Sequence, residues 1–115
     1  MLSENIISTD GELVIIDASS FAKKLIIARN HEDSAEVFRN QVLEPALKEY
    51  GEVTVDFNNV EEYTKAFIDE AFGKLIKDGF DYEELTSKLI ILTQDDTLKK
   101  VVWSCMERYY VMMNS

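Results

Sequence analysis

The fold is decided by a stretch that reads VTVDFNNVEEYTKAFIDEAFGKLIKDG over residues 53–79. Apolar residues alternate at its start, which predicts a strand with Val53, Val55 and Phe57 on one face. After a polar loop, apolar residues recur at helical spacing and predict an amphipathic helix. Gly79 follows its last turn, where a left-handed residue often closes a helix. In open α/β sheets, partners and ligands are met at such a junction between a strand and a helix. The apolar residues of the helix are Phe67, Ile68, Ala71, Phe72, Leu75 and Ile76.

Apolar runs and amphipathic segments alternate along the rest of the chain. We expect strands over 13–16, 25–27 and 89–92, and helices over 34–50 and 95–113. A helix over 18–28 remains the alternative for the second of these strands. The run at 89–92 is apolar throughout, which predicts burial on both faces. Pro45 should kink the first helix or begin a new turn. The inward positions predicted for the last helix are Leu98, Val101, Val102, Cys105, Tyr109 and Met112.

This order of elements contains two strand–helix–strand connections. Such connections are right-handed and place their strands parallel, so we expect an α/β fold in which a mixed sheet of about four strands, with central parallel strands, carries about three helices. A chain of 115 residues is long enough for a single domain over its whole length.

The charge balance is strongly acidic, with 22 Asp and Glu against 12 Lys and Arg and a net charge of −10. We expect no nucleic-acid partner, because phosphate binding relies on Lys and Arg. No apolar run reaches the length of a membrane span, and the first residues lack the features of a signal peptide. Cys105 is the only cysteine, so an internal disulfide is excluded, and a cytoplasmic location is expected.

Few residues could carry chemistry. His31 is the only histidine, and without a second histidine or a nearby cysteine it does not predict a metal site. Cys105 lies on the apolar side of the last helix and is expected to be a small buried hydrophobic residue. The four glycines are not clustered into a phosphate-binding loop. We therefore expect no catalytic residues, no metal and no cofactor.

Four ordered segments carry a resemblance to a known family. They are FR at 38–39, LEPAL at 43–47, VTVD at 53–56 and AFIDEAFG at 66–73. In these segments the chain resembles the STAS-like domain family of unknown function, which is related to bacterial anti-sigma-factor antagonists. The resemblance extends from about Ser34 to the neighbourhood of Thr93 and implies a STAS-like fold. It also implies a regulatory role, since STAS domains dock on partner proteins, often ATPases of the histidine-kinase-like fold.

The resemblance places the docking surface at the junction after the strand at 53–57. In regulated relatives the partner phosphorylates a serine there, but Ala66 stands at this position and has no hydroxyl. Thr64 is the nearest hydroxyl and the phosphorylation candidate, with helix N-capping as its expected structural role. Asp56 is expected to accept backbone N–H bonds in the following loop. The predicted partner-binding residues are Asp56, Asn58, Asn59, Thr64, Lys65, Ala66, Phe67 and Glu70.

These observations favour a non-enzymatic regulatory module, either a monomer or a weak homodimer. Its expected partner is a protein, a histidine-kinase-like ATPase or an anti-sigma-type regulator, and no membrane contact is expected. Two other functions remain open. The acidity would suit an inhibitor of a nucleic-acid-processing enzyme. The helix N-terminus at 65–67 would suit a small anion- or nucleotide-binding protein.

Overall fold

The structure, a computed structural model, describes residues 6–9, 12–26 and 34–114. Its strands are β1 (Ile6–Thr9), β2 (Leu13–Asp17), β3 (Lys24–Leu25), β4 (Glu52–Asp56), β5 (Glu62–Tyr63) and β6 (Leu89–Leu92). Its short helices are α1 (Ala18–Phe21), between β2 and β3, and α4 (Tyr82–Lys88), directly before β6. Its long helices are α2 (Ser34–Phe38, Arg39–Leu43 and Glu44–Glu49), α3 (Lys65–Ile68, Asp69–Gly73 and Lys74–Lys77) and α5 (Asp96–Met113).

The main sheet has four strands in the order β1-β2-β4-β6. β1 is antiparallel to β2, whereas β2, β4 and β6 are parallel to one another. The predicted mixed sheet with central parallel strands is therefore confirmed. The register sets Ile16 beside Val55 and Val55 beside Ile91, and all three side chains are buried in the core. Alternation along the strands thus directs one face of the sheet towards the core.

One strand prediction was wrong, and one strand was not predicted. The run at 25–27 does not join the main sheet: only Lys24–Leu25 forms a strand, β3, which pairs with β5 in a separate two-stranded sheet. The fourth strand of the main sheet is Ile6–Thr9, where an apolar pair is too short to give a strand periodicity. Ile27, His31 and Asp33 lie outside the described residues.

The run at 89–92 is not buried on both faces as predicted. Leu89 and Ile91 are 2% and 3% exposed, but Ile90 and Leu92 are 41% and 43% exposed. The reason is position: β6 is at the edge of the main sheet, so its second face is open to solvent.

The long helices α2 and α3 each contain a π-helical turn. In α2 the N–H of Glu44 bonds to the carbonyl of Arg39 instead of that of Asn40. Pro45 follows at once, and because proline has no N–H and crowds the preceding turn, a widened turn accommodates it without breaking the helix. The irregularity expected at Pro45 is therefore present. In α3 the N–H of Lys74 bonds to the carbonyl of Asp69.

Aromatic side chains in the core join α2 and α3 to the residue that follows β4. The Phe38 ring lies 6.1 Å from that of Phe67 and 6.2 Å from that of Phe72, which in turn lies 5.8 Å from Phe57. Helix α5 packs against α3 at Gly73, where an added Cβ would lie 2.8 Å from the Tyr109 ring. Glycine is thus required for the close approach of the two helices.

The ends of the long helices follow the sequence signals. Asp95 caps α5 by accepting from the N–H of Thr97 at 2.9 Å. Gly79 closes α3 with φ at 107°, and the N–H of Phe80 bonds to the carbonyl of Leu75 at 3.0 Å. One inward position predicted for α5 was wrong, because Met112 is 60% exposed. Met106, which was not predicted to face inward, is buried. Within the described residues, no helix is long and apolar enough to cross a membrane.

Candidate functional site

The loop after β4 is held by the last residue of that strand. Asp56 Oδ1 accepts a hydrogen bond from the N–H of Asn58 at 2.8 Å, which confirms the predicted capping role of this carboxylate. The N–H of Val60 bonds to the carbonyl of Phe57 at 3.0 Å and closes the turn. Asn58 and Asn59 are exposed at its tip. The turn therefore presents both amide side chains to solvent on a fixed backbone.

The start of α3 is held in a similar way. Thr64 Oγ1 accepts from the N–H of Phe67 at 3.2 Å, so the predicted N-cap is confirmed. The N–H of Thr64 bonds to the carbonyl of Leu25 at 2.9 Å, which ties the junction to the small sheet. Lys65 and Ala66, in the first turn, are exposed. The position that resembles a phosphoacceptor is thus accessible but carries only a methyl group.

Two predicted partner-binding residues lie apart from this surface. Phe67 is 1% exposed and belongs to the aromatic core, so its assignment to a docking surface is corrected. The Glu70 carboxylate, one turn further along α3, is 25% exposed and pairs with Lys74 Nζ at 2.6 Å. We define the junction surface as the four exposed residues Asn58, Asn59, Lys65 and Ala66, supported from below by Asp56 and Thr64.

A cleft of about 270 Å³ opens beside the junction surface, at the carboxyl ends of β4 and β6. Its lining includes the carboxylates of Glu61, Glu62 and Asp95 together with the phenol of Tyr63. Burial and, next, the charge of Asp95 raise the pKa of Tyr63, so the phenol stays protonated near neutral pH. The cleft can therefore accept hydrogen bonds through its carboxylates and donate one through Tyr63. No group of His, Cys, Asp and Glu suited to holding a metal ion occurs among the described residues.

A partly buried ionic cluster lies between α2 and α3, and it was not predicted from the sequence. Arg39 is 6% exposed, and its Nε donates to Asp78 Oδ2 at 2.9 Å and lies 3.7 Å from Glu44 Oε2. Arg39 also donates through Nη1 to the backbone carbonyl of Glu70. The burial of Arg39 could have been inferred from its position in the sequence. Arg39 falls on the apolar stripe of α2, between Ala35 and Leu43.

The two carboxyl groups of this cluster titrate differently. Burial, followed by the hydrogen bond and the charge of Asp78, raises the pKa of Glu44 to about 7. The hydrogen bond from Glu44 is the largest cause that lowers the pKa of Asp78, with Arg39 adding to it. Glu44 Oε2 is buried and has no hydrogen-bond partner among the described residues. The raised pKa favours the protonated form of Glu44, and a protonated carboxyl group can donate a hydrogen bond to the Asp78 carboxylate.

Cys105 is buried at 2% exposure, as expected for a small core residue. Burial is the largest cause that raises the pKa of its thiol, and the charge of Asp69 adds to it. A thiol that resists ionisation is a poor nucleophile.

Comparison with known protein families gives a match over nearly the same residues as the resemblance described above. A family model described as "STAS-like domain of unknown function (DUF4325)" matches residues 34–99, from the start of α2 into α5. No curated protein and no solved structure matches the chain.

Proposed function

Because the chain belongs to the STAS-like domain family of unknown function, we propose that it is a non-enzymatic regulatory module that binds a protein partner through the junction surface. Binding would use the exposed amides of Asn58 and Asn59 and the positive charge of Lys65. The outer face of α3 would extend the contact.

One observation carries this proposal: the junction surface is exposed, yet its backbone is fixed on both sides. The cap from Asp56 holds the loop, and the cap from Thr64 holds the first turn of α3. Directly beneath, Phe67 anchors that turn in the core. A surface that is already ordered loses little conformational entropy on association, so the same contacts give tighter binding.

The resemblance to anti-sigma-factor antagonists indicates the class of partner, a histidine-kinase-like ATPase or an anti-sigma-type regulator. The exposed Ala66 supports binding without a phosphate switch at the usual position, because a methyl group cannot accept phosphate. The Thr64 hydroxyl is engaged in the cap of α3. Phosphorylation of Thr64 would therefore have to displace that cap.

The test is capture of partners from the native host with the tagged chain, followed by mass spectrometry. Wild type is compared with a Lys65→Glu/Ala66→Arg variant, which changes two exposed residues of the junction surface. Lys77→Glu is the matched control, because Lys77 is an exposed lysine at the other end of α3. We expect a histidine-kinase-like ATPase to be captured by wild type and by the control, but not by the junction variant.

Direct binding of the purified ATPase, measured by calorimetry with the same three proteins, locates the interface. Equal affinity for wild type and the junction variant would contradict the proposal. Capture of a nuclease or another DNA-processing enzyme in place of an ATPase would support the acidic-inhibitor function instead. With the ATPase identified, Ala66→Ser is expected to become a phosphate acceptor.

A further inference from the structure

One arginine lies among three acceptors in the ionic cluster of Arg39, Glu44 and Asp78. Arg39 Nε donates to Asp78 Oδ2 at 2.9 Å, and Nη1 donates to the backbone carbonyl of Glu70. The same Nε lies 3.7 Å from Glu44 Oε2, which is too far for a hydrogen bond. Glu44 Oε2 is nevertheless buried and has no hydrogen-bond partner among the described residues. The guanidinium group therefore serves two acceptors while a third lies within reach of a small movement.

The π-helical turn of α2 brings Glu44 to this place. In a regular α-helix, residues five positions apart lie about 140° apart around the helix axis. Here the N–H of Glu44 bonds to the carbonyl of Arg39, and the widened turn sets both side chains on the same side of α2. The side chain of Glu44 is accordingly only 16% exposed. The approach of Glu44 to Arg39 is therefore built into the backbone of α2.

The charge of Glu44 changes near neutral pH. Burial and then Asp78, which follows α3, raise the pKa of Glu44 to about 7, against the lowering effect of Arg39 and Lys48 on α2. The hydrogen bond from Glu44 is the largest cause that lowers the pKa of Asp78, and Arg39 and Lys74 add to it. Asp78 therefore stays ionised across the neutral range, and Glu44 is the member of the cluster that gains or loses a proton there.

Ionisation of Glu44 changes the competition for Arg39. Hydrogen bonds that involve ionised groups are roughly twice as strong as those between neutral groups. The carbonyl of Glu70 is then the weakest of the three acceptors, while a buried carboxylate without a partner is costly. A hydrogen bond to Glu44 requires Nε to move by about 1 Å. Because the guanidinium group is planar and rigid, this movement carries Nη1 with it.

We propose that the contact between α2 and α3 is a proton-controlled switch. While Glu44 is protonated, Arg39 keeps both of its present hydrogen bonds. When Glu44 releases its proton to solvent, Arg39 turns towards Glu44 and gives up the carbonyl of Glu70. The middle of α3 then has one hydrogen bond fewer and is held less firmly by α2. The switch is a property of the chain itself and does not rest on the function proposed above.

A pH titration followed by NMR spectroscopy tests the switch on the intact chain, labelled with stable carbon and nitrogen isotopes. The carboxyl carbon of Glu44 reports its protonation, and the carbonyl carbon of Glu70 reports the hydrogen bond from Arg39. We expect both signals to shift with the same midpoint, at about pH 7. The Nε–H signal of Arg39 should shift with them, because its acceptor changes.

Two variants separate the switch from a general effect of pH. In Glu44→Gln, whose amide can still donate to Asp78, the Glu70 signal should keep its acidic value at every pH. In Asp78→Asn, an exposed change, the loss of a neighbouring charge should lower both midpoints together by about 1 pH unit. Glu49→Gln, an exposed change on α2, is the control and should titrate like wild type. Circular dichroism confirms that each variant is folded.

Three results would overturn the proposal. The first is a Glu70 signal that stays constant while Glu44 titrates, because Glu44 would then turn to solvent without moving Arg39. The second is a Glu70 signal that still titrates in Glu44→Gln, because another group would then be responsible. The third is a Glu44 midpoint near the ordinary pKa of 4.5, because this carboxyl group would then be ionised throughout the neutral range.

Discussion

Arg39 donates a hydrogen bond through Nη1 to the carbonyl oxygen of Glu70. In a regular α-helix this carbonyl would accept from the N–H of Lys74, but the π-helical turn of α3 directs that N–H to Asp69. Arg39 also binds Asp78 at 2.9 Å, beyond the last turn of α3. A side chain of α2 therefore completes the backbone hydrogen bonding of α3 at the place where its regular pattern is interrupted.

Replacing Arg39 by methionine should strongly destabilise the fold. Arg39→Met keeps the buried stem but removes the donor to the Glu70 carbonyl. The Asp78 carboxylate is exposed and can bind water instead, so we expect a loss of about 2 kcal/mol. Urea unfolding measures it. Arg108→Met is the control: that arginine is 50% exposed and pairs with Asp69, and exposed pairs contribute less than about 1 kcal/mol. Equal losses in both variants would contradict the role assigned to Arg39.

The stability of the protein should depend on the protonation of Glu44. Burial and Asp78 raise its pKa from 4.5 to about 7, against the lowering effect of Arg39 and Lys48. The folded protein then holds this proton more tightly than the unfolded chain. Its contribution is full below the unfolded value and is lost as the pH rises through the folded one.

Glu44→Gln removes this titration but keeps a side chain that can donate to Asp78. Between pH 4.5 and about 7, we expect wild type to lose about 1 kcal/mol relative to this variant, after allowing for screening by solvent. Urea unfolding at a series of pH values measures the difference. The lowered pKa of Asp78 affects stability only below this window. Glu49→Gln, an exposed change on the same helix, should run parallel to wild type.

Substitutions of two neighbouring residues at the junction should differ greatly in their effect on stability. Phe67→Ala opens a cavity in the aromatic core and should cost about 3–5 kcal/mol. Lys65→Glu changes an exposed side chain and should alter stability by no more than about 0.5 kcal/mol. Thermal unfolding followed by circular dichroism compares them. A strong loss of stability in Lys65→Glu would make this residue unsuitable as a probe of the junction surface.

The contact between α3 and α5 should be sensitive to one methyl group. Gly73→Ala places a Cβ 2.8 Å from the Tyr109 ring, and overpacking of this kind costs about 1–3 kcal/mol. In a Tyr109→Ala background the methyl group has room, so the same change should become neutral or stabilising by up to about 1 kcal/mol. A double-mutant cycle measured by urea unfolding tests this. Equal effects of Gly73→Ala in both backgrounds would show that the ring is not the cause.

Periodicity was sufficient to predict the three long helices and the parallel strands β2, β4 and β6. These segments present several apolar residues at a constant spacing, and their ends carry strong signals such as Asp95 and Gly79. The strand at Ile6–Thr9 was not predicted, because it forms by pairing with β2. A segment with only two apolar residues gives no periodicity from which this pairing could be inferred. The open face of β6 likewise depends on its place at the edge of the sheet, which composition alone does not specify.

Only the local contacts of the candidate site could be predicted from the sequence. The caps made by Asp56 and Thr64 are local, so the residue types near a strand end or a helix start were enough to infer them. The burial of Phe67 followed from its helical stripe, but the resemblance had assigned it to the surface. The contact of Arg39 with Glu70 joins residues on two helices, and only the π-helical turn, which has no sequence signature of its own, creates the need for it.

The ionic cluster also bears on how this domain could diversify. Arg39 lies in one of the segments by which the chain is recognised, and Gly73 ends another. Arg39 joins α2 to α3, and Gly73 allows α5 to approach α3, so both residues serve the packing of the helices and not the junction surface. Asn58, Asn59 and Lys65 are outside these contacts, and substitutions there cost the fold little. A few substitutions at these exposed positions could therefore change the binding partner during evolution, while the residues that define the fold and the family stay the same.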